Sequence, residues 1–189
     1  MIIFANEEGG TIGSMAMTGH LTPDGLKQKS QSGLTQAEGI KALGGNPDNI
    51  QSAKRNKGDI HAWIELHIEQ GGILEREKIQ IGVVEGIVGI VHWEVTVEGF
   101  ANHAGATPMN LRQDALLAAS KFIIAVNEVV NSVKGTQVGT VGKIAVQPGA
   151  YNVIPGKVVL GLEIRDLDAA KIEMLFKEME KRAAAIATS

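Results

Sequence analysis

Residues 92–130 read HWEVTVEGFANHAGATPMNLRQDALLAASKFIIAVNEVV, and the hydrophobic period changes partway along. HWEVTVEG alternates apolar and polar side chains, the pattern of a half-buried strand. RQDALLAASKFIIAVNEVV instead places Leu116, Ala119, Ile123, Val126 and Val130 at helical spacing, which predicts a strongly amphipathic helix. Between them lies a glycine-containing turn carrying His103, and Pro108 brings the loop to the helix start. Downstream, GTVGKIAVQPGAYNVIPGKVVLGLEIRDL supplies strands on either side of a Pro-Gly loop, and residues 168–187 form another amphipathic helix. The order β-α-β-β-α is that of a ferredoxin-like split βαβ domain without its final strand.

Upstream the texture is looser. MIIFA reads as a short buried strand ending in the acidic turn NEEGG. Residues 11–56 are rich in Gly, Ser, Thr, Asn and Gln, with a weak helical pattern at TQAEGIKALGG that Gly44 and Gly45 stop. AWIELHIEQ is either a strand or the tail of a short helix, because periodicity does not separate the two. IQIGVVEGIVGI reads as an apolar strand region bent at its glycines. The expected organisation is therefore one unit over residues 1–87 and another over 88–189. Both chain ends read as cuts through a larger architecture, MIIFA having no lead-in and the last helix nothing after it.

The bulk composition narrows the function classes. Hydrophobic residues make up 44% of the 189 and charged residues 21%, with a net charge of −3 and interleaved signs. That balance argues against a nucleic-acid groove or a membrane-surface patch. IGVVEGIVGIVHW is interrupted by Glu85, glycines and His92, so no membrane span is expected. The N-terminus lacks the basic start and long apolar stretch of a signal peptide, which makes a cytoplasmic location the default. With no cysteine, any metal must be held by His, Asp and Glu.

Each polar motif has a functional and a plain reading. Glu7 and Glu8 are adjacent carboxylates at the end of the predicted strand MIIFA, where one could face a cation and the other carry a proton; otherwise they are a solvated acidic turn. On a strand, Glu65, His67 and Glu69 share a face, so His67 is a candidate metal ligand or else a hydrogen-bonded structural histidine. His103 could donate to an anionic transition state, or sit incidentally in a helix-entry turn. Asn152, in the loop between strands, and Arg165, near the end of the second strand, could grip a carboxylate; the alternative is a surface ion pair of Arg165 with Asp166 or Asp168. There is no HExxH, GxSxG or Walker A sequence.

Taken together, NEEGG, ELHIEQGGILE, NHAGATPM, R-x-DAL and PGAYNVIPG followed by RDLD resemble the M20-type metal-dependent amidohydrolases of the N-carbamoyl-L-amino-acid hydrolase, allantoate amidohydrolase and β-ureidopropionase group. The resemblance implies a partial zinc-peptidase-like α/β catalytic domain followed by a ferredoxin-like lid and dimerisation domain. It implies Glu7 as general base, Glu8 and His67 as metal ligands, and Gln70 as a substrate contact. His103 would serve the developing oxyanion, and Asn152 and Arg165 the substrate carboxylate. It further implies a pair of divalent metals (zinc, manganese, cobalt or nickel), a ureido-bearing carboxylate as substrate, and a homodimer formed through the lid.

This sequence also departs from that pattern. No H-x-D motif occurs in it, and of the family's ligands only Glu8 and His67 are present, whereas a catalytic zinc needs about three protein ligands. After Glu8 stands GGTIGSMAMTG, where the family carries a longer segment with an Arg-Phe-like pair. The expectation is a chain without its full metal site. A non-catalytic dimerisation module, or complementation by a separate chain, are the competing readings.

Overall fold

Thr35 and Glu38 form a reciprocal cap: the Thr35 hydroxyl accepts from the Glu38 backbone N–H at 3.2 Å, and the Glu38 carboxylate accepts from the Thr35 backbone N–H at 2.7 Å. This capping box starts the third of the helices α1 (Ile12–Thr18), α2 (Pro23–Lys27) and α3 (Gln36–Ala42). α3 stops as TQAEGIKALGG predicts, with Gly44 at φ +81° just beyond its cap. A 3₁₀ turn follows at Pro47–Ala53. Ile12, Ala16 and Leu21 form the small core here, packed by Met15, Leu26, Ile40, Ile50 and Ala53. The computed structural model describes residues 1–188, and the chain is mixed α/β. It divides into two compact units, residues 1–72 and residues from 73 onward.

The first unit departs from expectation at its apolar stretches. MIIFA forms no strand, and Met1 and Ile3 are fully exposed. AWIELHIEQ is neither strand nor helix tail, and Ile64, Leu66 and Ile68 all face solvent. A strand exists only where a neighbour takes its N–H and C=O groups, and among the described residues none pairs with either stretch. Phe4 instead stacks on Trp63, with ring centroids 5.7 Å apart.

The second unit begins with the short helix α4 (Ile73–Glu77) and then builds β1 (Gly89–Glu98), α5 (Ala115–Ser132), β2 (Val138–Gln147), β3 (Lys157–Asp166) and α6 (Ala169–Ala187). The predicted β-α-β-β-α order is therefore present. Its sheet is antiparallel in the order β1-β3-β2, with an irregularity in β2 between Val141 and Lys143. The expected strand region IQIGVVEGIVGI becomes regular only from Gly89, because β3 supplies partners from there on. Upstream, Ile81, Val83, Val84 and Ile87 are exposed.

Alternation decides which side of the sheet is covered. On β3, Val158, Leu160, Leu162 and Ile164 are buried under the helices, while Val159, Glu163 and Arg165 occupy the open face. Trp93, Val95 and Val97 of β1 pack on the same core, and Trp93 stacks with Phe176 of α6 at 4.3 Å. Asp114 caps α5 by accepting from the N–H groups of Leu116 and Leu117; Asp168 caps α6 through Ala170. Ala119, Val126 and Val130 of the predicted stripe are buried, but Phe122, Ala125 and Val129 join them while Leu116 and Ile123 stay half-exposed. The stripe is thus rotated slightly from the one the spacing suggests. α5 is the one described helix long and apolar enough to cross a membrane, and here it supplies much of the core over the sheet.

Candidate functional site

In the first unit, the Glu7–Glu8 pair lies on a loop bracketed by Asn6 at φ +51° and Thr11 at φ +52°. Left-handed backbone at non-glycine residues is costly and concentrates where geometry matters. The Thr11 N–H donates to the Glu7 carbonyl at 3.1 Å, and Asn6 Nδ2 donates to Gln36 Oε1 at 3.1 Å, so the loop is tied to the start of α3. Both glutamates are exposed. Gln70 is a third left-handed position, at φ +55°, also on the surface.

His67 is exposed, and its Nδ1 lies 2.6 Å from the Ile68 carbonyl oxygen. A carbonyl only accepts, so in the neutral ring Nδ1 carries the proton and Nε2 keeps its lone pair. This segment is not a strand, and Glu65, His67 and Glu69 are all exposed. Among the described residues, no group of three His, Asp or Glu side chains could hold a metal ion. The residues present do not by themselves fit a catalytic metal pair.

In the second unit, His103 is held by its own turn. Its backbone N–H donates to Asn102 Oδ1 at 2.8 Å, and its carbonyl accepts from the Thr107 hydroxyl at 2.8 Å. The Gly105 N–H donates to His103 Nδ1 at 3.1 Å. In the neutral ring the proton therefore sits on Nε2, the reverse of His67. Arg112 clamps the same turn, donating to the Ala104 carbonyl at 2.6 Å and to Thr107 at 3.0 and 3.1 Å. Sequence reading gives Arg112 no role, because backbone carbonyls leave no trace in sequence; the short R-x-D spacing before the α5 cap is the only signal.

Asn152 is brought to this turn. The Ala104 N–H donates to the Asn152 carbonyl at 2.9 Å, the Ile154 N–H to Asn102 at 2.8 Å, and His103 bridges Val153. The cluster sits at the end of the sheet where Glu98 pairs with Lys157. Arg165 pairs with Ile90 and Val138 at the other end. From Lys157 to Arg165 the strand rises roughly 26 Å at ~3.3 Å per residue. A single chain thus joins His103 with Asn152 but holds Arg165 away from both. A hollow of about 700 Å³ beside β1, lined by Val97, Met109, Leu117 and Ile186 among others, contains none of the three.

Arg165 does form an ion pair, though with neither aspartate expected from sequence. Its Nε donates to Glu163 Oε1 at 2.5 Å, and His92 Nε2 lies 2.5 Å from Glu163 Oε2. The Arg165 hydrogen bond, and then that of His92, hold the Glu163 carboxyl below its usual range. Asp166 is also lowered, first by the Asp168 backbone N–H and further by Lys171, whose Nζ lies 3.2 Å from its Oδ2. Groups whose folded pKa is lowered contribute stability that is present above the unfolded value, about 4 for a carboxylate, and lost as pH falls through the folded value. Thermal melts from about pH 7 to about pH 3 should therefore show a steep acid fall. Asp166→Asn should lower the neutral melting point and flatten that fall. Parallel curves for the two proteins would remove Asp166 from the linkage.

Comparison with known proteins gives consistent matches. The profile of peptidase family M20/M25/M40 covers residues 1–173. The N-carbamoyl-L-amino acid amidohydrolase of Geobacillus stearothermophilus is 43% identical over 192 residues, spanning 99% of this chain and 47% of that enzyme. The allantoate amidohydrolase of Escherichia coli (strain K12) is 34% identical over 192 residues, spanning 98% of this chain and 46% of that enzyme. A solved amidase of the hydantoinase/carbamoylase family from Burkholderia multivorans superposes with a TM-score of 0.81 at 35% identity, covering 94% of this chain and 42% of that one. The chain spans about half the length of the relatives it matches.

Proposed function

Because the chain belongs to peptidase family M20/M25/M40, we propose that it is part of an amidohydrolase acting on the linear ureido amide of an N-carbamoyl-L-amino acid. The products would be the amino acid, ammonia and carbon dioxide. The observation that carries this reading is the contrasting hydrogen bonding of the two histidines, Nδ1 facing a carbonyl in His67 and accepting an N–H in His103. The neutral His67 ring so bonded has its lone pair on Nε2, the form that ligates a divalent cation. His103 keeps a proton on Nε2, the form that donates to a developing oxyanion.

In this reading Glu7 takes and returns a proton, Glu8 and His67 contribute to binding a zinc, manganese, cobalt or nickel ion, and Gln70 touches substrate. Arg165 and Asn152 address the carboxylate. Arg165 stands at the end of β3 away from the loop that holds Asn152, which supports an active site that draws on more than one chain, as in a homodimer formed through the lid. The protein would work in the cytoplasm on a small molecule, with no nucleic acid or membrane involved. Allantoate is the neighbouring substrate choice, favoured by the Escherichia coli relative. A non-catalytic dimerisation module is favoured by the absence of three clustered metal ligands among the described residues.

The 189-residue chain, purified without chelator, is expected to carry well under about one metal ion, given the need for roughly three protein ligands per zinc. It should release no ammonia from N-carbamoyl-L-amino acids. A form extended to the relatives' length should bind metal and prefer carbamoyl amino acids over allantoate. Elemental analysis and ammonia release on both forms decide this. Turnover by the 189-residue chain would show that its own residues suffice for a metal site, and an inert, metal-free extended form would establish the module. A preference for allantoate would replace the substrate.

A further inference from the structure

On the open face of the sheet, His92, Glu163 and Arg165 form a connected row. His92 pairs with Glu163 across β1 and β3, and Arg165 lies two residues further along β3 on the same side. Each Glu163 oxygen has its own partner: Oε1 takes Arg165 Nε and Oε2 takes His92 Nε2. Glu163 is the least exposed of the three, with 26% of its side chain accessible against 42% for Arg165 and 71% for His92. Arg165 is flanked laterally by Ile90 and Val138, so its neighbours in register are apolar. Among the described residues, its two terminal nitrogens make no hydrogen bond.

A guanidinium offers two edges to a carboxylate: a side edge through Nε and one terminal nitrogen, and an end edge through both terminal nitrogens. Glu163 engages the side edge through Nε alone, and the end edge stays open. A long arginine side chain otherwise loses considerable rotamer freedom when it captures a ligand, and a fixed Nε removes part of that loss beforehand. The cost is a negative charge beside the carboxylate to be bound. His92, on the other Glu163 oxygen, draws part of that charge away from the open edge.

We infer that Glu163 is a positioning residue for Arg165: with His92 as its anchor, it fixes the guanidinium so that the end edge alone receives the carboxylate of a ureido acid. This rests on the proposal above that Arg165 takes the substrate carboxylate. The lowered pKa of Glu163 keeps the carboxylate ionised across the neutral range, as the arrangement requires.

The test uses the chain itself and needs no turnover. The Arg165 Nε–H resonance is followed by ¹H–¹⁵N NMR in wild type, Glu163→Gln and Arg165→Lys, each titrated with N-carbamoyl-L-alanine and with its uncharged carboxamide. In free wild type the Nε–H should give a protected, resolved signal, which Glu163→Gln should lose while backbone amides away from β3 stay unchanged. Glu163→Gln should also weaken carbamoyl-alanine binding about tenfold, the scale of one charge-assisted hydrogen bond. The carboxamide should bind no variant. If Arg165→Lys abolishes binding but Glu163→Gln binds like wild type, or leaves the Nε–H signal in place, the positioning role is wrong and the carboxylate reading survives. If wild type binds acid and amide alike, or Arg165→Lys binds like wild type, the carboxylate reading fails and the inference fails with it.

Discussion

Leu160→Ala is expected to destabilise the second unit by about 2–5 kcal/mol, the range for truncating a fully buried leucine. Leu160 has no exposed surface and lies in register between Val95 on β1 and Ile144 on β2. It belongs to the cluster that joins β3 to Phe122 and Val126 of α5 and to Leu175 and Met179 of α6. Removing its branch leaves a void beneath both helices, and a packed interior closes such voids only partly. The melting point should fall by on the order of 10 °C or more. Leu117, on the same unit but 54% exposed, is the control: its alanine variant should melt close to wild type. Equal losses from the two would mean that the core does not reside where the sheet meets its helices.

Gly99→Ala should be comparably damaging for a different reason. A Cβ at Gly99 would stand 2.2 Å from the Gln113 carbonyl oxygen and 2.9 Å from the Ala115 nitrogen. Both are backbone atoms at the start of α5, so no side-chain rotation relieves the clash. Gly99 also donates to the Gly156 carbonyl at 2.8 Å, and Phe100 to Gln113 at 2.8 Å. The substitution therefore pries apart the junction of β1, the α5 entry and the loop before β3. A loss of several kcal/mol is the scale for backbone collisions of this kind. The turn that presents His103 should loosen with it, visible as loss of the Nε2-protonated tautomer in imidazole ¹⁵N shifts. A variant that melts like wild type would show that the α5 entry can shift without cost.

The second unit was legible in sequence because its signals agree at every level. Alternation in HWEVTVEG, helical spacing after Asp114 and the capping aspartates at 114 and 168 all point to one arrangement, and the elements fall where they are predicted. What was not legible on α5 is the face that turns inward: ALLAASKFIIAV is apolar nearly all round, so packing rather than pattern selects Phe122 and Val129. The apolar stretches of residues 1–5 and 60–88 fail differently. Their composition states a preference for burial in a sheet, and a preference becomes a strand only when a partner is present.

The candidate site divides along the same line. Residue types at Glu7, Glu8, His67, Gln70, His103, Asn152 and Arg165 could be read directly. The association of Asn152 with His103, the remoteness of Arg165 and the clamp by Arg112 could not, since each depends on which carbonyl or strand end lies nearby in space. Glu163 was likewise invisible as a partner for Arg165. At a separation of two residues it looks like an ordinary strand acid until both are placed on one face.

The strict alternation of β3 carries an evolutionary constraint on length. Arg165 faces the open side only because it stands an even number of positions along the strand from Lys157, with Leu160, Leu162 and Ile164 on the opposite face. A single-residue insertion or deletion within the strand would turn the arginine into the core and expose the aliphatic row beyond the change. In relatives that retain this strand, viable changes of its span should therefore come in pairs of residues.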